Sequence, residues 1–282
     1  MKKLTLLAFL FSLFLQAQDK KAYQLYDKNG KKTTYAKLLK ETQKTQVVLF
    51  GEYHDNAICH WLQLELTKDF AQIKPIVLGA EMLETDNQSQ INQYLNNEIN
   101  QKQLDSLARL WPNYPTDYKP LVDFAKENKL PFIATNIPRR YASIVFKKGL
   151  EELQNLPLEE QKFIAPLPIN FDLNLPCYKS MLEMQGGKAG DKMPKAQAIK
   201  DATMANSIIK NLQPNSVFIH YNGSYHSDNF EGINWYLKQY NPNIQIITIA
   251  TVEQKDITKL EKENFNKANF ILVIDEDVTK TY

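Results

Sequence analysis

Val47-Val48-Leu49-Phe50-Gly51-Glu52-Tyr53-His54 is the stretch whose reading decides the fold. Four apolar residues in succession read as a strand buried on both faces, the pattern of a parallel sheet covered by helices. The run then breaks into glycine and polar groups. A second segment repeats the form far along the chain, where Val217-Phe218-Ile219 leads through His220-Tyr221-Asn222 to Gly223-Ser224-Tyr225-His226. Each ends in Gly-x-x-His. Ligands of open α/β sheets bind just beyond the carboxyl ends of strands, so histidines delivered there from opposite ends of a chain can share a pocket. The four histidines, His54, His60, His220 and His226, all lie in or near these two segments. That clustering points to a site.

Working outward, the first strand covers about residues 45–51, and further strands are expected at 76–80, 131–135, 216–221, 244–251 and 269–274. Helical patterns fall between them at about 56–70, 86–97, 100–110, 118–128, 138–150, 194–211 and 231–239. Strands alternating with helices of these lengths predict an α/β fold, a mainly parallel sheet with helices on both faces. Residues 151–193 break the alternation with Pro166, Pro168, Pro176, Gly186, Gly187 and Gly190. This stretch reads as a helical insertion or lid within the same domain.

The beginning of the chain reads as a secretory signal over residues 1–17: Lys2-Lys3, an apolar run from Leu4 to Leu15, and Ala17 before the expected cleavage. The apolar run is too short for a transmembrane helix. The remainder, 18–282, is about 265 residues, enough for one large domain. Export to the periplasm or the outer-membrane surface is expected. No cysteine follows the apolar run to accept a lipid. A net charge of +2 gives no bulk electrostatic case for nucleic acid. Cys59 and Cys177 read as two separate thiols, with Cys59 buried on a helix.

Polar residues gather at the expected strand ends. Glu52, Tyr53, His54 and Asp55 follow the first, Glu81 the second, and Asn136, Arg139, Arg140 and Tyr141 the third. Tyr221, Asn222, Tyr225 and His226 follow the fourth, and Thr251 closes the fifth. Gly51 and Gly223 are expected to turn the backbone sharply, with positive φ. His60 and His220 read as structural, and His54 or Asp55 can cap the following helix.

Two chemistries remain open. In the first, His54, Glu81 and His226 hold zinc, manganese or cobalt with a position left for water. Glu52 or Glu81 then serves as general base and Asn136 or Arg139 stabilises an oxyanion, which makes a metal-dependent hydrolase. The spacing matches no short zinc motif. In the second, one of Tyr53, Tyr141, Tyr221 or Tyr225 ligates ferric haem as a phenolate, with His54 or His226 beside it. Arg139 and Arg140 pair the haem propionates, and the loop Trp111-Pro112-Asn113-Tyr114 shelters the ring or, for Trp111, simply packs over a helix.

Five segments carry a resemblance. They are Leu49-Phe50-Gly51-Glu52-Tyr53-His54-Asp55-Asn56 followed by His60; Glu81-Met82-Leu83; Thr135-Asn136-Ile137-Pro138-Arg139; Gln197-Ala198-Ile199-Lys200-Asp201-Ala202-Thr203-Met204-Ala205; and Asn222-Gly223-Ser224-Tyr225-His226. In this order they resemble the ChaN-type haem-binding proteins of the Tiki-like superfamily. The resemblance implies an exported α/β protein of bacterial iron acquisition that binds haem through a tyrosine, across a homodimer, with an outer-membrane haem uptake receptor as partner. It also implies kinship with metal-dependent peptidases and erythromycin-esterase-like hydrolases. His54, Glu81 and His226 carry over as core positions, with Glu52 beside them. Gln197 and Asp201, four apart on one helix face, are expected to border the site.

Overall fold

The computed structural model describes residues 20–183 and 190–282. The expected signal segment, together with Gly186 and Gly187, lies outside them. In chain order the elements are β1 (Tyr23–Asp27), α1 (Tyr35–Thr42), β2 (Val47–Glu52), α2 (Ala57–Ile73), β3 (Ile76–Glu84), α3 (Gln88–Leu95), α4 (Gln101–Leu107), α5 (Lys119–Glu127) and β4 (Phe132–Asn136). There follow α6 (Arg139–Lys148), α7 (Leu158–Gln161), α8 (Pro176–Glu183), α9 (Lys192–Asn211), β5 (Val217–Gly223), α10 (Ile233–Tyr240), β6 (Ile246–Gln254) and β7 (Phe270–Asp275).

The seven strands form one sheet in the order β1-β7-β6-β2-β5-β3-β4. Only β1 runs antiparallel, on β7. This is the expected α/β class with one more strand than the apolar runs predict. β1 is short and only half apolar, and its pairing with β7 supplies what its own pattern lacks.

β2 alternates between two apolar layers, as a strand must. Val48 and Phe50 pack with Leu62, Leu66 and Phe70 of α2 on one face. Val47 and Leu49 pack with Ala198, Ile199 and Ala202 of α9 on the other. From β2 the chain crosses β5 through α2 to reach β3, whereas from β5 it returns over the opposite face through α10 to β6. The connections leave β2 and β5 in opposite directions on opposite faces. That reversal opens a crevice at the carboxyl ends of these two strands.

Residues 151–183 are packed against α9 rather than loosely laid over it, with Leu153, Ile164, Ala165, Tyr178 and Met181 buried in the second layer. β3 runs on to Glu84 through an irregular register after Ala80, so Glu81 stands inside the strand. α2 is capped by Asn56, whose side chain accepts from the amides of Ile58 and Cys59. Neither His54 nor Asp55 is the cap. Cys59 is buried on α2, and both cysteines are free thiols.

The expected positive φ at Gly51 and Gly223 does not occur; Gly223 has φ −55°. These glycines serve close approach instead. A Cβ on Gly51 would lie 3.0 Å from the carbonyl oxygen of Ile249 and 3.0 Å from the Ser224 Cα. Both are backbone atoms and cannot swing aside. Gly51→Ala is therefore expected to destabilise the fold by about 1–3 kcal/mol, the usual cost of overpacking. Chemical denaturation measures it, and an unchanged midpoint would refute this account of Gly51.

Candidate functional site

The carboxyl ends of β2 and β5 open into a cavity of about 800 Å³, within the range of small-molecule sites. Its walls include Tyr53 and His54 after β2, Ser180 of α8, Tyr225 and His226 after β5, and Lys267 before β7.

Glu52 is buried at the end of β2. It receives His54 Nδ1 at 2.9 Å, the Tyr118 hydroxyl at 2.8 Å and Gln63 Nε2 at 2.6 Å. Burial alone would raise its pKa, but the hydrogen bond from His54 and the charge of His60 hold it below the usual carboxylate range. His54 is thereby fixed with Nδ1 on the carboxylate and Nε2 turned toward Gly223, where a Cβ would meet it at 2.8 Å. Its side chain keeps 31% exposure. Burial favours neutral His54, yet the Glu52 hydrogen bond and the Glu81 charge raise its pKa overall. Trp111 meets the imidazole edge-on at 4.9 Å between centroids, and Asn113 Nδ2 donates to the His54 carbonyl at 3.1 Å. The aromatic loop thus braces His54, and its Tyr114 is a core residue.

His226 is held on both sides. Nε2 meets Glu81 Oε1 at 3.0 Å and Nδ1 meets Asp201 Oδ1 at 2.5 Å. Burial opposes the imidazolium, but the charges of Glu81 and Asp201 prevail and push the pKa up to about 10. Glu81 also accepts the Gly223 amide at 2.7 Å. Burial would raise its pKa, while His226 holds it far below the ordinary value. Asp201 takes the Tyr178 hydroxyl at 2.7 Å, and the Gln197 amide stands 2.9 and 3.1 Å from the two His226 nitrogens. The α9 face carrying Gln197 and Asp201 does border the site.

The structure therefore brings Glu52, Tyr53, His54, Glu81, Tyr225 and His226 together. Other expected residues lie elsewhere. Tyr221 is buried under α2, with its hydroxyl on Thr67. Tyr141 is buried in the α9 layer, its hydroxyl accepting from Arg140. Both side chains follow the alternation of their element into the core. Asn136, Arg139 and Arg140 sit at the end of β4, the edge strand, which β3 separates from β5. Arg139 is exposed, Arg140 pairs with Asp86 and Glu160, and Asn136 is buried with its Oδ1 unpartnered. None of the three lines the cavity, so neither the oxyanion role nor the propionate role expected of them is met by their positions.

His60 and His220 are structural. His60 Nε2 donates to the His54 carbonyl at 3.0 Å. His220 bonds Thr135 and Asn222, and burial lowers its pKa to about 4. Thr251 is also structural, donating to the Gly51 carbonyl at 2.7 Å.

The expected metal set of His54, Glu81 and His226 does not form. Among the described residues no group of three or more histidine, cysteine or acidic side chains is arranged to hold a metal ion. Both nitrogens of His226 face carboxylates, so its lone pairs are used to hold protons.

Gln63, Tyr118, Tyr178, Asp228 and Lys267 escape a sequence reading. Gln63 sits one helical turn after His60 and Asp228 two residues after His226, so proximity alone could have flagged these two. Tyr118, Tyr178 and Lys267 arrive from distant segments.

Removing one partner from a buried ion group leaves uncompensated charge. His226→Ala strands two carboxylates and is expected to cost about 3–5 kcal/mol near neutral pH, read by chemical denaturation. The folded-state pKa of His226 is raised, so its stabilisation is complete below the unfolded value of 6.5 and is lost as pH rises to about 10. The melting temperature should fall between pH 7 and 10, more steeply in the native chain than in the variant. Parallel pH profiles would contradict the assignment of an imidazolium.

No curated protein sequence matches the chain significantly. Among solved structures it is similar to ChaN of Campylobacter jejuni, described as showing cofacial heme binding, with a TM-score of 0.67 and 16% identity over 90% of this chain and 97% of that one. It also resembles a Bacillus cereus protein (TM-score 0.52, 12% identity, 89% and 94% covered) and the type III effector HopBA1 (0.51, 10%, 85% and 92%). At these identities the likenesses show the fold. Residues 38–237, well over half the chain, match the family described as haem-binding uptake, Tiki superfamily, ChaN, and the chain belongs to that family.

Proposed function

We propose that this protein binds ferric haem in the cavity between β2 and β5, with the Tyr53 phenolate as iron ligand. One observation carries the choice of tyrosine. Of the four tyrosines expected at this edge, only Tyr53 and Tyr225 line the cavity. The Tyr225 hydroxyl is engaged, 2.6 Å from Ser180 Oγ and 3.0 Å from the Cys177 carbonyl. The Tyr53 hydroxyl has no hydrogen-bond partner among the described residues. Burial and the charges of Asp228 and Glu253 raise its pKa, so without iron it stays protonated. Ferric iron, a hard acid, supplies the charge that makes the phenolate favourable.

The residues present fit a haem. The cavity is large enough for part of a flat ring, an unpartnered phenol stands on its wall, and Trp111 and Tyr118 brace the histidine beside it. Bound haem would supply an iron centre for the tyrosine. The Glu52–His54 pair would hold an imidazole nearby as proton acceptor for the phenol. We further propose export by the 1–17 segment, function as a homodimer, and supply of haem from an outer-membrane receptor. The family's name for haem uptake supports the haem reading, and export rests on the Lys2-Lys3 and Leu4–Leu15 pattern of the sequence. The metal-dependent hydrolase is not adopted, because His226 is committed on both nitrogens.

Titration of the purified protein with haemin should give a stoichiometric ferric spectrum with a phenolate charge-transfer band. Tyr53→Phe should abolish the band and Tyr225→Phe should keep it. A band that survives Tyr53→Phe would reject Tyr53 as ligand, and failure of the native chain to take up haemin would reject the function. Arg139→Ala, remote from the cavity, should leave haemin affinity unchanged in the same titration.

A further inference from the structure

The segment that follows β7 runs back to the carboxyl end of β2. Val278 packs on the first apolar layer. Lys280 forms an antiparallel bridge with Asn56, the cap of α2. The Thr281 amide donates to the Asp55 carbonyl at 2.8 Å, and the Thr281 hydroxyl donates to Asp117 Oδ2 at 3.0 Å. Lys280 Nζ pairs with Glu253 of β6 and stands 3.5 Å from Asp55 Oδ1. The next residue, Tyr282, lines the cavity and is 72% exposed.

These ties end on the elements that carry the site. Asp55 directly follows His54, and Lys280 Nζ lies 6.0 Å from the centroid of the Tyr53 ring. Asp117 also accepts from Asn113 at 2.7 Å, and Asn113 in turn holds the His54 carbonyl. One exposed ion pair would fix little. Here a backbone bridge, a main-chain hydrogen bond, a hydroxyl and an ammonium all act on two adjacent residues, Lys280 and Thr281. The place of Tyr282 is therefore set by its neighbours, while most of its own surface stays in water. Such a ring gains by burying its area against a flat apolar ligand. Because the backbone beneath it is already ordered, less entropy is lost when the ligand arrives.

We propose that residues 278–282 are a strap forming one side of the cavity, and that Tyr282 contacts a bound porphyrin through its aromatic ring. This rests on the haem-binding reading and adds a contact residue and its supports. Tyr53 remains the iron ligand. The Tyr282 hydroxyl has no part in the contact, so phenylalanine can replace it. Lys280 and Thr281 are positioning residues: they touch no ligand and act only by holding Tyr282 in place.

The test titrates metal-free protoporphyrin IX by fluorescence, which removes iron ligation from the comparison, and haemin in parallel by absorption. Each variant is first checked for an unchanged melting profile. Tyr282→Ala should weaken protoporphyrin binding about tenfold, the scale of one aromatic contact and its buried area. Tyr282→Phe should keep the native affinity, and both variants should keep the phenolate band of bound haemin. Lys280→Met together with Thr281→Val leaves the ring but loosens the strap, and should lower affinity through faster dissociation. Adding these two changes to Tyr282→Ala should cost nothing further, because residues that act through one another are not additive. Native affinity in Tyr282→Ala would overturn the contact. Equal losses in Tyr282→Ala and Tyr282→Phe, or a band lost in Tyr282→Phe, would assign the role to the hydroxyl and overturn it too. A full further loss in the triple variant would overturn the positioning role of Lys280 and Thr281. Each of these outcomes leaves haem binding by the native chain intact. A native chain that binds neither porphyrin nor haemin would overturn the haem reading beneath it.

Discussion

A single buried imidazolium organises this end of the molecule. His226 stands between Glu81 of β3 and Asp201 of α9, and neither carboxylate is exposed. A charge taken out of water must be met by opposite charge and full hydrogen bonding. Here that requirement joins three elements from distant parts of the chain. The Glu81 carboxylate must also reach the Gly223 amide, which fixes where β5 ends relative to β3. Asp201 must reach Tyr178, which draws α8 onto the same layer and makes its Ser180 part of the cavity wall. The wall and floor are thus set by one electrostatic demand.

A second buried carboxylate, Glu52, makes the equivalent demand on the other side. It gathers His54, Gln63 and Tyr118 around the end of β2. The two groups are kept close by glycine. Any side chain at Gly223 would push into His54, and any at Gly51 would push into the backbone of neighbouring strands. The result is a floor of buried, mutually bonded carboxylates beneath a rim whose groups are less engaged. Among the described residues the Tyr53 hydroxyl has no hydrogen-bond partner, one buried Asp228 oxygen has none, and Lys267 stands 3.7 Å from the other Asp228 oxygen.

Histidine and carboxylate side chains at strand ends suggest metal hydrolysis when read as a list of residue types. Their geometry argues otherwise, because a histidine that donates from both nitrogens has no lone pair to offer a metal. The same residues instead act as structural charge.

Much of this was legible in the order of residues. The unbroken apolar runs of β2, β3 and β5, separated by amphipathic helices, require a parallel sheet covered on both faces, because such strands have no face to give to water. The switch from apolar to polar at Glu52 and near Gly223 marks the edge where ligands bind, and the pairing of two Gly-x-x-His segments locates Glu52, His54 and His226 there. Sequence could not say which way Tyr141 and Tyr221 turn, since a side chain's face depends on the register of its strand and the rotation of its helix. It could not place Asn136 and Arg139 off the crevice, because that follows from strand order, and strand order is decided by how the connections pack. Nor could it find Tyr118, Tyr178 and Lys267. Those partners are chosen by unpaired polar atoms seeking hydrogen bonds and charge across long separations in the chain, and such demands exist only once the chain is folded.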